Sequence, residues 1–97
     1  MRRTMIERRL NDAHQRLVRA RGELAVLDEQ LVVVNDIADD TRLRALVAET
    51  PGAVREHDEA RRQATALART RQALVEQIAE LERRREDLLE RLVVGPG

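Results

Sequence analysis

Apolar residues fall at Ile6, Leu10, Ala13, Leu17, Ala20, Leu24, Leu27, Leu31, Val34 and Ala38, with steps that alternate strictly between four and three. That alternation is a heptad seam, and it restricts this stretch to one long helix packed lengthwise against another. A second stripe obeys the same rule through Ala60, Ala64, Leu67, Arg71, Leu74, Ile78, Leu81, Arg85, Leu88 and Leu92, with two arginines among the apolar residues. The chain is therefore expected to be all-α, with long helices over about 4–39 and about 51–93.

Between the stripes, Asp39, Asp40 and Thr41 carry side chains able to cap a new helix, and just beyond them Leu43, Leu46 and Val47 share one helical face. A short connecting helix is expected over about 41–49, folding back over Val32 and Val33, with a tail at 94–97. Thr50 suits the cap of the last helix and Pro51 its first position. Pro51-Gly52 in mid-chain also argues against a single continuous rod. Gly22 interrupts the first helix, where a bend or a close helix contact would account for it.

An antiparallel two-helix coiled-coil hairpin in one domain, residues 1–97, satisfies both stripes, because an a position on one helix then faces a d position on the other. Its layers set Ile6 opposite Leu92, Leu10 opposite Leu88, Leu17 opposite Leu81, Leu24 opposite Leu74 and Leu31 opposite Leu67. Ala13 falls opposite Arg85, leaving room for the arginine stem while its guanidinium reaches water.

Composition narrows the chemistry. Phe, Tyr, Trp, Cys and Ser are all absent, so there is no aromatic platform, no thiolate and no serine nucleophile. His14 and His57 would lie roughly 40 Å apart at helical rise, too far to share a metal. No phosphate-binding glycine loop is present. The expectation is a protein that is not an enzyme and carries no cofactor or metal. The longest wholly aliphatic run, Leu31 to Val34, is far short of the ~20 residues of a membrane span, and Glu7, Arg8 and Arg9 interrupt any signal-like start. A cytoplasmic location is expected.

Three surface features are candidates for function. Val18, Ala25 and Val32 repeat every seven residues beside the seam, Val26 and Val33 lie further round, and Val75 and Leu89 flank the second stripe. A two-helix hairpin cannot cover all of these, so a homodimer forming a four-helix bundle is expected. Charge is also segregated: residues 1–22 hold seven Arg and two acids, whereas 23–40 hold six acids and no base. Both placements oppose the macrodipole of the first helix, so helix stability does not explain them. Asp36, Asp39 and Asp40 would then form an acidic hairpin tip. Finally, Arg9, Arg16, Arg84 and Arg91 fall on one flank of the seam and form a candidate anion patch. Acids four residues before Arg16, Arg84 and Arg91 offer each an ordinary intrahelical partner instead. A net charge of +0 and the lack of aromatics argue against specific nucleic-acid recognition.

The stretch Arg55-Glu56-His57-Asp58-Glu59-Ala60-Arg61-Arg62-Gln63, with acids at the hairpin end, resembles in shape the coiled coil of the Gre transcript-cleavage factors at the start of its second helix. That resemblance covers the hairpin alone and implies a tip that enters the secondary channel of RNA polymerase. Arg-rich, Lys-free and bearing Glu49-Thr50-Pro51 at its turn, the chain is also similar to small helical-hairpin proteins of high-GC Gram-positive bacteria, a similarity that implies no activity. Two functions of different class are consistent with these features. One is a coiled-coil adaptor that binds another protein. The other is a transcription regulator that touches RNA polymerase or a sigma factor through its acidic tip.

Overall fold

The computed structural model describes the backbone of residues 2–94 and the side chains of 3–93. Two long helices, α1 (Arg2–Ala48) and α2 (Pro51–Val94), form a helical hairpin, with no strand among the described residues. No described helix is long and apolar enough to cross a membrane. Of the expected tail at 94–97, Val94 belongs to α2, and Gly95, Pro96 and Gly97 lie outside the described residues.

The separate connecting helix does not form. Instead α1 runs unbroken through Asp39, Asp40 and Thr41 to Ala48. Side chains that cap a helix do so only where the backbone leaves the helical conformation, and neither Gly nor Pro forces it to leave here. The Thr41 hydroxyl donates to the Ala38 carbonyl oxygen of the same helix at 2.9 Å, and Arg44 Nη2 lies 3.2 Å from Asp40 Oδ2 one turn earlier. Three mid-helix residues of modest propensity cost at most about 0.7 kcal/mol each relative to Ala. Packing offsets that cost, because Thr41 is only 3% exposed and the four-three spacing continues from Ala38 through Thr41 to half-buried Ala45.

The reversal takes two residues. Glu49 adopts a left-handed conformation with φ 53°, and its amide donates to the Ala45 carbonyl at 3.1 Å, closing α1. Thr50 then caps α2: its Oγ1 accepts from the Ala53 amide at 3.2 Å, its carbonyl accepts from Val54 at 3.1 Å, and Pro51 takes the first helical position. Left-handed geometry brings Cβ too close to the backbone in every residue except glycine. Glu49→Gly is therefore expected to stabilise the fold by about 1 kcal/mol. A urea unfolding curve followed by circular dichroism would show a raised midpoint, and an unchanged or lowered midpoint would refute this account of the turn.

The chain packs as two compact units, one made of residues up to Leu24 and from Leu74 onward, the other of Ala25–Ala73. In the first, Ala13, Leu17, Ala20, Leu74, Ile78, Leu81 and Leu88 are buried, and Arg21 reaches Glu82 across the helices at 3.5 Å. Gly22 meets nothing within 4 Å of where a Cβ would stand, so no close helix contact requires it. In the second unit, Ala60 is the one buried apolar residue among those described, and Leu27, Leu31, Val34, Leu67 and the rest of the seam are half-buried. Within that unit Arg71 pairs with Asp28, and Arg44 Nη1 lies 3.9 Å from Glu56 Oε2.

Candidate functional site

Seven of the twelve exposed large apolar side chains among the described residues lie on α1 within the second unit. Its seam residues face α2, and residues one and two places beyond every second seam residue point the other way. Along that back face stand Ala25 and Val26, then Val32 and Val33, then Asp39 and Asp40, then Leu46 and Val47. Val32 is 62% exposed, Val33 58%, Leu46 65% and Val47 85%. The fold-back expected to cover Val32 and Val33 is absent, because Leu43, Leu46 and Val47 continue the same helix and are exposed themselves. Ala25, Val26, Ile37 and Val54 add to the exposed apolar surface of this unit. In the other unit, Val18 and Leu89 are exposed and Val75 is half-buried.

The three acids are not at the turn. Asp36, Asp39 and Asp40 lie inside α1, which continues to Ala48, while the reversal is at Glu49 and Thr50. Asp40 is engaged by Arg44, whereas exposed Asp36 and Asp39 have no ion pair among the described residues.

Of the arginine patch, Arg9, Arg16 and Arg84 line one shallow recess together with Asp12, Ala13 and Leu81, and Arg91 is not part of its wall. Asp12 and Arg16 pair as their spacing predicts, at 3.2 Å. Glu80 instead turns to Arg83 at 2.8 Å, leaving Arg84 without it, and no pair joins Asp87 to Arg91 among the described side chains.

Two polar groups extend the seam toward the turn, beyond the apolar stripes. Steps of three and four back from Ala60 reach His57 and Ala53, both half-buried. His57 Nδ1 is buried with no hydrogen-bond partner. Continuing the four-three count through 41, 45, 53 and 57 would have placed Thr41 and His57 on the seam from sequence alone. Arg71, a seam intruder, is half-buried beside Asp28. The hydrogen bond that Arg71 Nε donates to Asp28 Oδ1, and then the charge of that carboxylate, raise the guanidinium pKa above its ordinary value. His14 is exposed, and no group of three or more His, Cys, Asp or Glu among the described residues is arranged to hold a metal. What the arrangement offers a partner is surface, apolar on the back of α1 and basic around the recess.

Compared with protein-family models, curated proteins and solved structures, the chain matches none.

Proposed function

We propose that this chain is a protein–protein interaction module, an antiparallel coiled-coil hairpin that pairs with a second copy of itself through the back of α1 to make a four-helix bundle. One observation carries the reading: in the second unit eight bulky aliphatic side chains are exposed, seven of them on α1, four more are only half-buried, and the one buried apolar residue among those described is Ala60. A helix apolar on both faces is at home only between two neighbours, and α2 supplies one of them.

The antiparallel register is supported within each unit by the pairs it makes adjacent. In the first, Leu17 falls opposite Leu81 and Ala20 opposite Ile78, all buried. In the second, Ala38 falls opposite Ala60, Thr41 opposite His57 and Ala45 opposite Ala53, and the ion pairs of Asp28 with Arg71 and of Arg44 with Glu56 lie close to the same register.

A second copy suits the stripe better than an arbitrary partner. Ala25-Val26 and Val32-Val33, apolar pairs seven residues apart, offer a surface that a two-fold related copy can match, and two-fold association uses the same patch on both chains. A net charge of +0 leaves no overall repulsion between copies. Covering Val32 and Val33 contributes roughly 1 kcal/mol for each side chain on each copy, scaled from full burial by what is now exposed.

Sedimentation equilibrium tests this. The wild-type chain is expected to have twice its 11.1 kDa mass at micromolar concentration. The double variant Val32→Glu with Val33→Glu is expected to associate at least roughly a hundredfold more weakly, because two carboxylates would be desolvated on each side. Both positions are exposed in the single chain, so helix content should persist. A wild type of single-chain mass, or a variant that sediments like wild type, would overturn the proposal.

A further inference from the structure

We infer that the recess walled by Arg9, Arg16 and Arg84 binds a terminal phosphate group. Arg9, Asp12, Ala13 and Arg16 occupy one face of α1 at helical spacing, and Leu81 and Arg84 do the same on α2. All six belong to the unit built from the two ends of the hairpin. Ala13 and Leu81 are buried and form an apolar floor. Three guanidinium groups and one carboxylate leave the wall with two positive charges in excess.

The partners that usually neutralise surface arginines are taken or missing. Arg16 Nε holds the Asp12 carboxylate at 3.2 Å, which leaves its terminal nitrogens for another acceptor. Glu80, four residues before Arg84, is drawn to Arg83. Arg9 has Met5 and Ala13 four residues to either side, and Asp12, three residues on, is engaged by Arg16. Among the described residues Arg9 and Arg84 therefore have no ion pair, although they share a recess with a third cation.

Planar guanidinium forks presented from two helices match the oxygens of a phosphate, which accepts paired hydrogen bonds and carries the charge the site lacks. The recess has a volume of about 20 Å³, enough for one oxygen atom rather than a whole ligand. The phosphate is thus held at the mouth with one oxygen inward. Nothing aromatic stands nearby to stack a base, since the chain has no aromatic residue. Recognition is then of the phosphate group itself, whether free or at the end of a small phosphomonoester.

Titration of the full isotope-labelled chain with inorganic phosphate, followed through the arginine Nε–H resonances at constant ionic strength, tests the assignment. Saturable shifts are expected at Arg9, Arg16 and Arg84, with sodium chloride at matched ionic strength producing none of them. Arg84→Gln should weaken binding about tenfold through loss of a charge-assisted fork. Asp12→Asn should tighten it by removing the competing carboxylate, and Arg55→Gln, in the other unit, should leave it unchanged. A second arm with glycerol phosphate distinguishes a phosphomonoester from free phosphate by relative affinity, both being compatible with the site. Shifts that fail to saturate, that spread evenly over the arginines, or that saturate at the same phosphate concentration in Arg84→Gln would overturn the inference. All three arginines are exposed, so the variants are expected to keep the wild-type helical signal, which the same spectra report.

Discussion

Leu17→Ala is expected to destabilise the fold by about 3 kcal/mol, the middle of the range for emptying a fully buried leucine site. Leu17 has 0% of its surface exposed, and its immediate seam neighbours Ala13 and Ala20 are alanines too small to swing into the space. The loss is therefore of transfer energy and of a cavity that the surroundings cannot close. Two helices offer few alternative packings, so the effect should appear as a large fall in the urea midpoint by circular dichroism. Exposed Met5→Ala is the control, expected within about 0.5 kcal/mol of wild type. Both must be compared at one protein concentration, since association would add to apparent stability. A Leu17 variant no weaker than the Met5 variant would mean that the seam does not hold the hairpin together.

His57→Leu should act in the opposite direction, raising stability by about 1 to 2 kcal/mol. An acceptor or donor buried without a partner costs roughly 1–3 kcal/mol, and His57 Nδ1 is such a group. Leucine at that seam position replaces the orphaned nitrogen with apolar surface of similar bulk. Buried Thr41 provides the contrast: its hydroxyl is satisfied by the Ala38 carbonyl, so Thr41→Val should shift stability by less than about 1 kcal/mol. Denaturant unfolding of both variants checks the pair. Loss of stability in His57→Leu would show that the imidazole has a partner, and would make the polar seam position a contact rather than a defect.

Much of the fold is legible in the residue order because its determinants are local. The four-three spacing announces two long helices, and Thr50-Pro51 announces the start of α2, since a hydroxyl that caps and a ring with φ already set act over three or four residues. Asp39-Asp40-Thr41 misleads for the same reason that Thr50 informs. Identical side chains can cap a new helix or ride along an existing one, and the local difference is a few tenths of a kcal/mol per residue. Only a count of the seam through Thr41, Ala45, Ala53 and His57 would have decided for continuity.

The surface features divide along the same line. Val32 and Val33 are legible as excess apolar surface, but their exposure depends on whether the segment after Asp40 turns back, and it does not. Arg9, Arg16, Arg84 and Arg91 share one flank of the seam in sequence, all but Arg9 with an acid four residues earlier. Tertiary packing brings the first three around one recess, and within α2 Glu80 takes Arg83 rather than Arg84, because rotamer choices among exposed charges are separated by less than about 1 kcal/mol. Residue order thus announces two long helices and the start of α2 at Thr50-Pro51, through periodicity and turn chemistry that are near-neighbour effects, but not the run of α1 past Thr41. Packing between the helices settles which apolar residues remain uncovered and which distant charges meet, as Asp28 meets Arg71, because those outcomes depend on residues far apart in the chain whose local preferences are nearly balanced.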